Sequence, residues 1–374
     1  MKLTSLVNMY EIESSALDQI KHLQSYPFVE HIAIMPDIHT GYLAPIGTVM
    51  LVLDHISPPA IGFDIGCGMC NIDLGFPYND IIKTSKHAEK VAEKIYENVP
   101  VGTGATHVKY EDNIKFKSAL DDKNLDSKVN VVINSQFGTL GSGNHFIELG
   151  KNRAGNICIT VHSGSRNPGH SVCEWYTDLM KKEGLINFIP LDHFLAKAYI
   201  EDMNFMLQYA LDNRKQIIKL ILNTLRFEDW EINKYLLNII NENHNHAEYF
   251  GAGRVIHRKG ATPAEKGQLG VIPGSMKTGV YITVGLGNEE YLHSASHGAG
   301  RKMSRKKAKE LIKNNPEKLE IIKKEMKGII AKSDASVYDE FDFAYKPIEE
   351  VIKKQDGIVV NVIDHISSLI NIKG

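Results

Sequence analysis

The tightest constraint on this chain lies in residues 59–70, where an apolar run from Pro59 to Phe63 leads into Asp64-Ile65-Gly66-Cys67-Gly68-Met69-Cys70. Glycines at Gly62, Gly66 and Gly68 let the backbone turn through positive φ or pass close to a ligand. A carboxylate and a thiol three residues apart set a hard oxygen beside a soft sulfur. That donor pair suits a transition metal better than calcium or magnesium. Taken alone, the stretch reads equally well as a buried turn with a structural cysteine. The residues downstream change that balance: Asn144-His145, His162, His244-Asn245 and His297 each stand among Gly, Ser or Asn. A fold that converges these imidazoles on Cys67 is the expectation.

Composition narrows the class. A chain of 374 residues forms one large domain or two ordinary ones. With no internal repeat, low-complexity tract or linker, a single domain over 1–374 is expected. The 43 % hydrophobic and 24 % charged residues are those of a soluble globular protein. No apolar run approaches the roughly 18 residues of a membrane helix, and Met1 to Ser5 lacks a signal-peptide core. No membrane partner is expected, and the cytoplasm is the expected compartment. The 4 cysteines are too few for a disulfide framework, so thiols stay free for metal or catalysis. A net charge of −2 gives no general affinity for polyanions, which leaves nucleic-acid contact to a local patch.

Along the chain, residues 11–25 have helical spacing, and His31 to Met35 reads as a buried strand ending in Pro36-Asp37-Ile38-His39. Asp37 and His39 there read as ligands or as a turn Asp and a supporting His. Gly47 to Leu53 reads as a strand, 79–98 as one amphipathic helix, and 102–124 as a loop or lid. Gly138 to Gly143 resembles a phosphate-cradling loop but lacks the Lys-Ser/Thr of a P-loop. Strand Ile157 to Val161 delivers His162-Ser163-Gly164-Ser165-Arg166, placed like the strand-end chemistry of α/β proteins. Ser163 or Ser165 is expected to cap a helix near 170–184. Residues 191–240 read as helical scaffold without a polar constellation, running into the cluster Asn243 to His246. Around His297 the neighbours are small, which leaves its ring reachable, and Arg301 can meet phosphate bidentately. From Arg301 to Lys327 there are 11 Lys/Arg against 4 Asp/Glu, a solvated helix face or a track for a nucleic-acid backbone. A short strand at 357–363 closes the chain.

Nine motifs together resemble the RtcB family of RNA ligases, in the family's order and over essentially the whole chain. They are Met35-Pro-Asp-Ile-His39, Asp64-Ile-Gly-Cys-Gly68, Gly138 to Glu148, Val161-His-Ser-Gly-Ser-Arg166, His244-Asn245, Arg258-Lys-Gly-Ala261, Ile272-Pro-Gly-Ser-Met276, Ser296-His-Gly-Ala-Gly-Arg301 and Lys373-Gly374. The resemblance implies an α+β single-domain fold with mixed β-sheets flanked by helices around a deep metal pocket. It implies two Mn2+ and GTP, and joining of RNA 3′-phosphate or 2′,3′-cyclic phosphate ends to 5′-hydroxyl ends, in RNA repair or tRNA splicing. By position, Asp64, Cys67 and His145 hold one manganese and Cys67, His162 and His244 the other. His297 is the nucleophile that takes GMP. Asn144, His145, Glu148, His244, Asn245, Pro273, Gly274, Ser275, Met276, His297, Gly298, Ala299, Gly300 and Lys373 line the guanylate site, and Arg166 and Arg301 contact phosphate. An activating protein, if the reaction uses one, is not readable from the sequence.

The chain departs from the family pattern at several positions. Val280 stands where a Ser is usual, Lys277 where Gly is common, Asn243 for His, His246 for an aromatic and Cys70 for Asn. The first two motivate an alternative, a metal-dependent RNA cyclic-phosphate phosphoesterase without ligation. A non-catalytic RNA-binding protein using 301–327 is a third reading, one that leaves the metal residues unexplained. The Cys67-x-x-Cys70 pair lacks the second pair of a zinc knuckle.

Overall fold

A computed structural model describes residues 1–109 and 113–374. Two mixed sheets and their helices give an α+β architecture. In the first sheet, five strands run in the order Lys2–Ser5, Val29–His39, Ile46–Leu53, Arg254–Lys259, Asn245–Gly251. Only the first pair is parallel. Helix Ser14–Gln24 lays Ala16, Ile20 and Leu23 on this sheet against Val29, Ile32 and Ile34, at the i, i+4, i+7 spacing of one helical face. The second strand continues through Pro36 to His39, with a register shift between Ile34 and His39. Proline has no N–H to give the ladder, so the strand bulges there and leaves Asp37 out of the register, which resumes at His39 against Ile46.

The second sheet carries seven strands in the order Leu269–Pro273, Val280–Gly285, Val360–Lys373, Phe146–Lys151, Asn156–Ser163, Gly68–Pro77, Ile240–Asn243, all antiparallel. Strand Ile330–Ala331 pairs in parallel beside Val360–Lys373. Side chains alternate faces along a strand. Ile157, Ile159 and Val161 pack on one side with Ile217, Ile218, Ile221 and Leu222 of the 31-residue helix Phe194–Thr224. Cys158, Met69 and Phe146 lie in a separate cluster with Val271, Val280 and Ile366. His162 is therefore the last-but-one residue of a central antiparallel strand, not the exit of a parallel one.

Other departures from the expected elements have local causes. The expected helix 79–98 is two, Tyr78–Ile81 and Ser85–Asn98, because Thr84 is extended and its hydroxyl accepts from His87 N–H at 3.1 Å. The short C-terminal strand is 14 residues long, Val360–Lys373, and bulges between Ser368 and Ile370. Ser165 holds the N-cap position of the helix Arg166–Lys182, but no hydroxyl makes a capping bond: those of Ser163 and Ser165 donate to Leu140 O and Ile65 O. The loop expected at 102–124 is irregular up to the helix Lys123–Asn130, and its residues 110–112 lie outside the described residues. The basic run forms two helices, Arg305–Lys313 and Pro316–Glu325.

Candidate metal and nucleotide site

Antiparallel pairing gathers the Cys/His set at one end of the second sheet. Gly68 pairs with Ser163 and with Asn243, and Phe146 pairs with His162. Cys67 and His145 therefore precede strand starts, and His162 and His244 lie at or just past strand ends, all at the same edge. The turn that presents Cys67 uses Gly66 at φ +70 and a Cys67 N–H bond to Asp64 O at 3.1 Å. Cys67 Sγ is 3.3 Å from His145 Nε2 and 3.3 Å from His162 Nε2. His162 Nε2 is 3.3 Å from His244 Nε2, and His145 Nε2 is 3.1 Å from Asp64 Oδ2. Gly164 is obligatory beside this carboxylate, since a Cβ there would sit 2.3 Å from Asp64 Oδ1.

Two backbone carbonyls set the tautomers. His145 Nδ1 faces Leu140 O at 3.0 Å and His162 Nδ1 faces Asn144 O at 3.1 Å. A carbonyl only accepts, so both rings carry their proton on Nδ1 and turn bare Nε2 lone pairs onto one sulfur. Lone pairs crowded together without enough protons between them fit a cation, and the ring–carbonyl pairing is the usual support of a metal-bound histidine. The donor atoms of Cys67, His145 and His162 all lie within 4.8 Å of one another, with Asp64 and His244 adjoining. Burial, and then neighbouring histidines, push His162 and His244 well below the usual imidazole range, so both rings are neutral. Burial, then Asp64, pushes the Cys67 thiol up; a bound cation reverses that preference.

The turn is braced from the long helix, expected from the sequence to be scaffold without a polar constellation. Arg214 is fully buried and donates from Nη1 to Gly66 O and Ser163 O, both at 2.9 Å, and from Nη2 to Asn243 Oδ1 at 2.8 Å. Asn213 donates to Thr139 O and Gly164 O, both at 3.2 Å, and accepts from Gly138 N–H at 2.7 Å. Asn213 and Arg214 sit inside the polar run Asp212 to Gln216, which reads as an exposed helix face, so nothing in the sequence singles them out.

His297 follows strand Ser294–Ser296, which pairs with Ala261–Pro263 in a separate two-stranded sheet. Its Nδ1 is 2.6 Å from Asp37 Oδ2, and the same oxygen accepts from its backbone N–H at 3.2 Å. Asp37 is thus a positioning carboxylate for His297, not a turn residue at a strand end. His39, its Nδ1 on Asp37 O at 2.9 Å, is pushed down to about 4 by burial. The His297 ring meets the His244 ring edge-on at 4.7 Å, which sets the nucleophile candidate against the metal cluster.

A cavity of about 550 Å³ opens over His297. It is lined by Asn144, Glu148, Pro273 to Met276, His297 to Arg301 and Lys373, and also by Arg305 and Tyr345. His145, His244 and Asn245, expected to line the guanylate site, do not face it. Asn245 is buried behind, donating to Asp64 O at 3.1 Å and accepting from Gly260 N–H at 2.8 Å. Burial pushes the Glu148 carboxyl up to about 8. Lys373 Nζ is 2.5 Å from Glu340 Oε2, and Glu340 also pairs with Arg305, Arg301 and Tyr345 Oη. Arg301 therefore reaches the cavity wall with its donors largely engaged, including Asp339 O and Met303 O. Arg166 lines a different cavity, of about 440 Å³. Glu340 and Arg305 were missed: the first stands in no motif, and the second was absorbed into the basic run.

The two changes that motivated a phosphoesterase fall outside the cavity. Val280 is fully buried in the apolar cluster beneath it, and Lys277 pairs on the surface with Glu325 at 2.9 Å. Asn243 is the Arg214 acceptor, and His246 Nε2 is 3.1 Å from the buried Arg258 guanidinium. Cys70 packs in the apolar cluster with Ile72, Ile159 and Ile217 and takes no part in the Cys/His cluster.

A carboxylate, thiol and imidazole cluster touching a carboxylate-oriented imidazole under a basic cavity defines a metal-binding, phosphoryl-transfer class of site. Residues 19–374 match the family model described as "tRNA-splicing ligase RtcB". The chain is 31 % identical to "RNA-splicing ligase RtcB" of Escherichia coli K12, over 97 % of this chain and 95 % of that protein. It is 30 % identical to "RNA-splicing ligase RtcB homolog 1" of Entamoeba dispar, over 96 % and 82 % respectively. It is also 30 % identical to "tRNA-splicing ligase RtcB" of Nanoarchaeum equitans, over 91 % and 87 %. The chain belongs to the RtcB family. Among the described residues no helix is long and apolar enough to cross a membrane.

Proposed function

We propose that this protein is an RNA ligase that joins RNA 3′-phosphate or 2′,3′-cyclic phosphate ends to 5′-hydroxyl ends at the expense of GTP. It works as one domain in the cytoplasm, in RNA repair or tRNA splicing. Family membership supports the ligase class. The observation that carries the route is His297: Asp37 occupies its Nδ1 and backbone N–H, and its ring lies between the Cys/His cluster and a cavity large enough for a nucleotide. With the proton held on Nδ1, Nε2 presents the lone pair of a neutral nucleophile.

In this reading His297 Nε2 attacks the α-phosphorus of GTP, and the bond to pyrophosphate breaks. A cyclic phosphate end is first hydrolysed to a 3′-phosphate. A 3′-phosphate oxygen then takes GMP from His297, and the 5′-hydroxyl displaces GMP at the 3′-phosphorus to seal the strand. Asp64, Cys67 and His145, and Cys67, His162 and His244, would hold two manganese ions, which supply charge neutralisation at the reacting phosphates. Lys373, Arg305 and Arg301 give the cavity wall a positive face for phosphate, held in place by Glu340. Glu148, protonated near neutral pH at a raised value of about 8, offers a nucleobase one donor and one acceptor.

Incubation with GTP labelled at the α-phosphate and manganese tests this directly. Label retained on the protein through His297, and lost in His297→Ala, is the expected result. Label that survives His297→Ala refutes the proposed nucleophile.

A further inference from the structure

The second cavity, of about 440 Å³, reaches the same cluster from the side of Asp64 and His145 and shares only Asn144 with the larger one among the described residues. Two kinds of side chain stand out in its wall. One is Arg166, held at φ +58 and passing over Gly141, where a Cβ would lie 2.2 Å from the guanidinium carbon. Its Nε is buried without a hydrogen-bond partner. Its Nη1 is 3.3 Å from His145 Nδ1, but that nitrogen already donates to Leu140 O and cannot accept. The guanidinium is therefore built into the wall with donors to spare, in a strained backbone position of the kind that clusters at ligand sites.

The other is an aromatic group with no part in the metal cluster. Phe63, next to Asp64, stacks on His170 with centroids 4.9 Å apart and planes 24° apart. His170 lies four residues beyond Arg166 in helix Arg166–Lys182, and both line this cavity. Tyr42, largely exposed, meets Phe63 edge-on at 5.6 Å. His170 is itself exposed and lines the cavity. Neither Phe63 nor His170 bonds to a metal-cluster residue, and the packing of the core does not need an exposed imidazole.

A guanidinium that takes phosphate, one helical turn from a backed aromatic ring, matches the two chemical faces of a nucleotide at an unpaired strand end. Single-stranded RNA is held in this way, by bases stacked on aromatic or imidazole rings and phosphates on Arg. We propose that His170, backed by Phe63, is the base-stacking platform for the RNA nucleotide that carries the terminal 3′-phosphate, with Arg166 on that phosphate. This rests on the ligase reading above and adds a specificity-determining contact to it. The 3′-phosphate end is favoured over the 5′-hydroxyl end because its terminal phosphate carries more charge than an internal phosphodiester, and Arg166 sits beside the metal cluster where that charge is consumed.

The test is the affinity of the full-length protein for a short single-stranded RNA ending in a 3′-phosphate, read by fluorescence anisotropy. His170→Ala weakens binding about tenfold, as expected for one lost base stack, and His170→Phe restores it. With an otherwise identical RNA whose terminal nucleotide lacks its base, wild type and His170→Ala bind alike. An RNA with a 5′-hydroxyl and no terminal phosphate shows no difference between the two. Equal loss on the abasic RNA, a loss confined to the 5′-hydroxyl strand, or no loss at all overturns the proposal. Thermal melting of His170→Ala controls for fold. GMP labelling of wild-type His297 is measured separately, so failure of the nucleotidyl route and failure of the stacking platform are distinguished.

Discussion

The two halves of the site are built by different means. On the metal side, Cys67, His145, His162 and His244 hang from the ends of neighbouring antiparallel strands. Backbone carbonyls orient the His145 and His162 rings, and Arg214 braces the backbone of the turn at Gly66 O and of the strand at Ser163 O. On the nucleophile side, His297 sits in a loop of small residues and owes its aim to one carboxylate from the other sheet, Asp37. Many weak, redundant restraints hold the first half. One strong contact holds the second. Redundancy would suit a cluster preorganised for the proposed cations, whereas the small neighbours Gly298 and Ala299 keep the ring of His297, the proposed nucleophile, open to a bulky reactant.

That contrast can be broken by mutation. The largest expected effect is at the sulfur shared by both proposed metal sets: Cys67→Ala abolishes retention of manganese on dialysis and lowers GMP labelling on the order of 10³-fold. Asp37→Asn separates the halves. It lowers labelling on the order of 10²-fold, the scale of a misoriented base or nucleophile, while metal retained after dialysis, measured by elemental analysis, stays at the wild-type level. Loss of metal in Asp37→Asn would erase the distinction. Arg214→Met strikes the redundant half from outside: it leaves Gly66 O, Ser163 O and two Asn side chains, Asn241 and Asn243, short of a donor. A loss of about 3 kcal/mol in urea unfolding is expected, together with weaker metal retention.

Smaller effects sharpen the cavity wall. Burial alone would raise the Glu340 carboxyl, but Lys373 and Arg305 outweigh it and hold it at about 2. An acid whose pKa falls on folding adds stability that is complete above its unfolded value and is lost as the pH drops through the folded one. The destabilisation caused by Glu340→Gln is therefore full at pH 7 and shrinks from about 4.5 towards 2. Urea midpoints of the two proteins at pH 7 and pH 3 check this, and a gap that widens in acid contradicts it. Smallest of all, Lys277→Gly removes an exposed pair with Glu325. Its stability changes by about 0–1 kcal/mol, and GMP labelling stays within about twofold.

The elements with a strong period were legible in the sequence, and so was the edge of the metal turn. Strand 46–53, the helix near 14–24 and the Gly-flanked Asp64–Cys67 turn carry their signals locally. Val360–Lys373 was cut short because its second half, His365-Ile-Ser-Ser-Leu-Ile-Asn, mixes polar residues into a strand that bulges. Asp37 was ambiguous because its partner lies 260 residues away. Arg214 was invisible as a brace, since a helix pattern records what is apolar and not which carbonyl a buried cation will meet.

Residue types were settled by the chain alone: a thiol, a carboxylate, imidazoles and flexible glycines, each a donor or a clearance that no later packing can change. Which of these donors face one another was decided by strand register, because shifting an antiparallel pair by one residue turns every side chain to the opposite face. Register also chose the proton positions. An imidazole has two equivalent-looking nitrogens until a fixed carbonyl claims one of them, and only the folded backbone supplies that carbonyl.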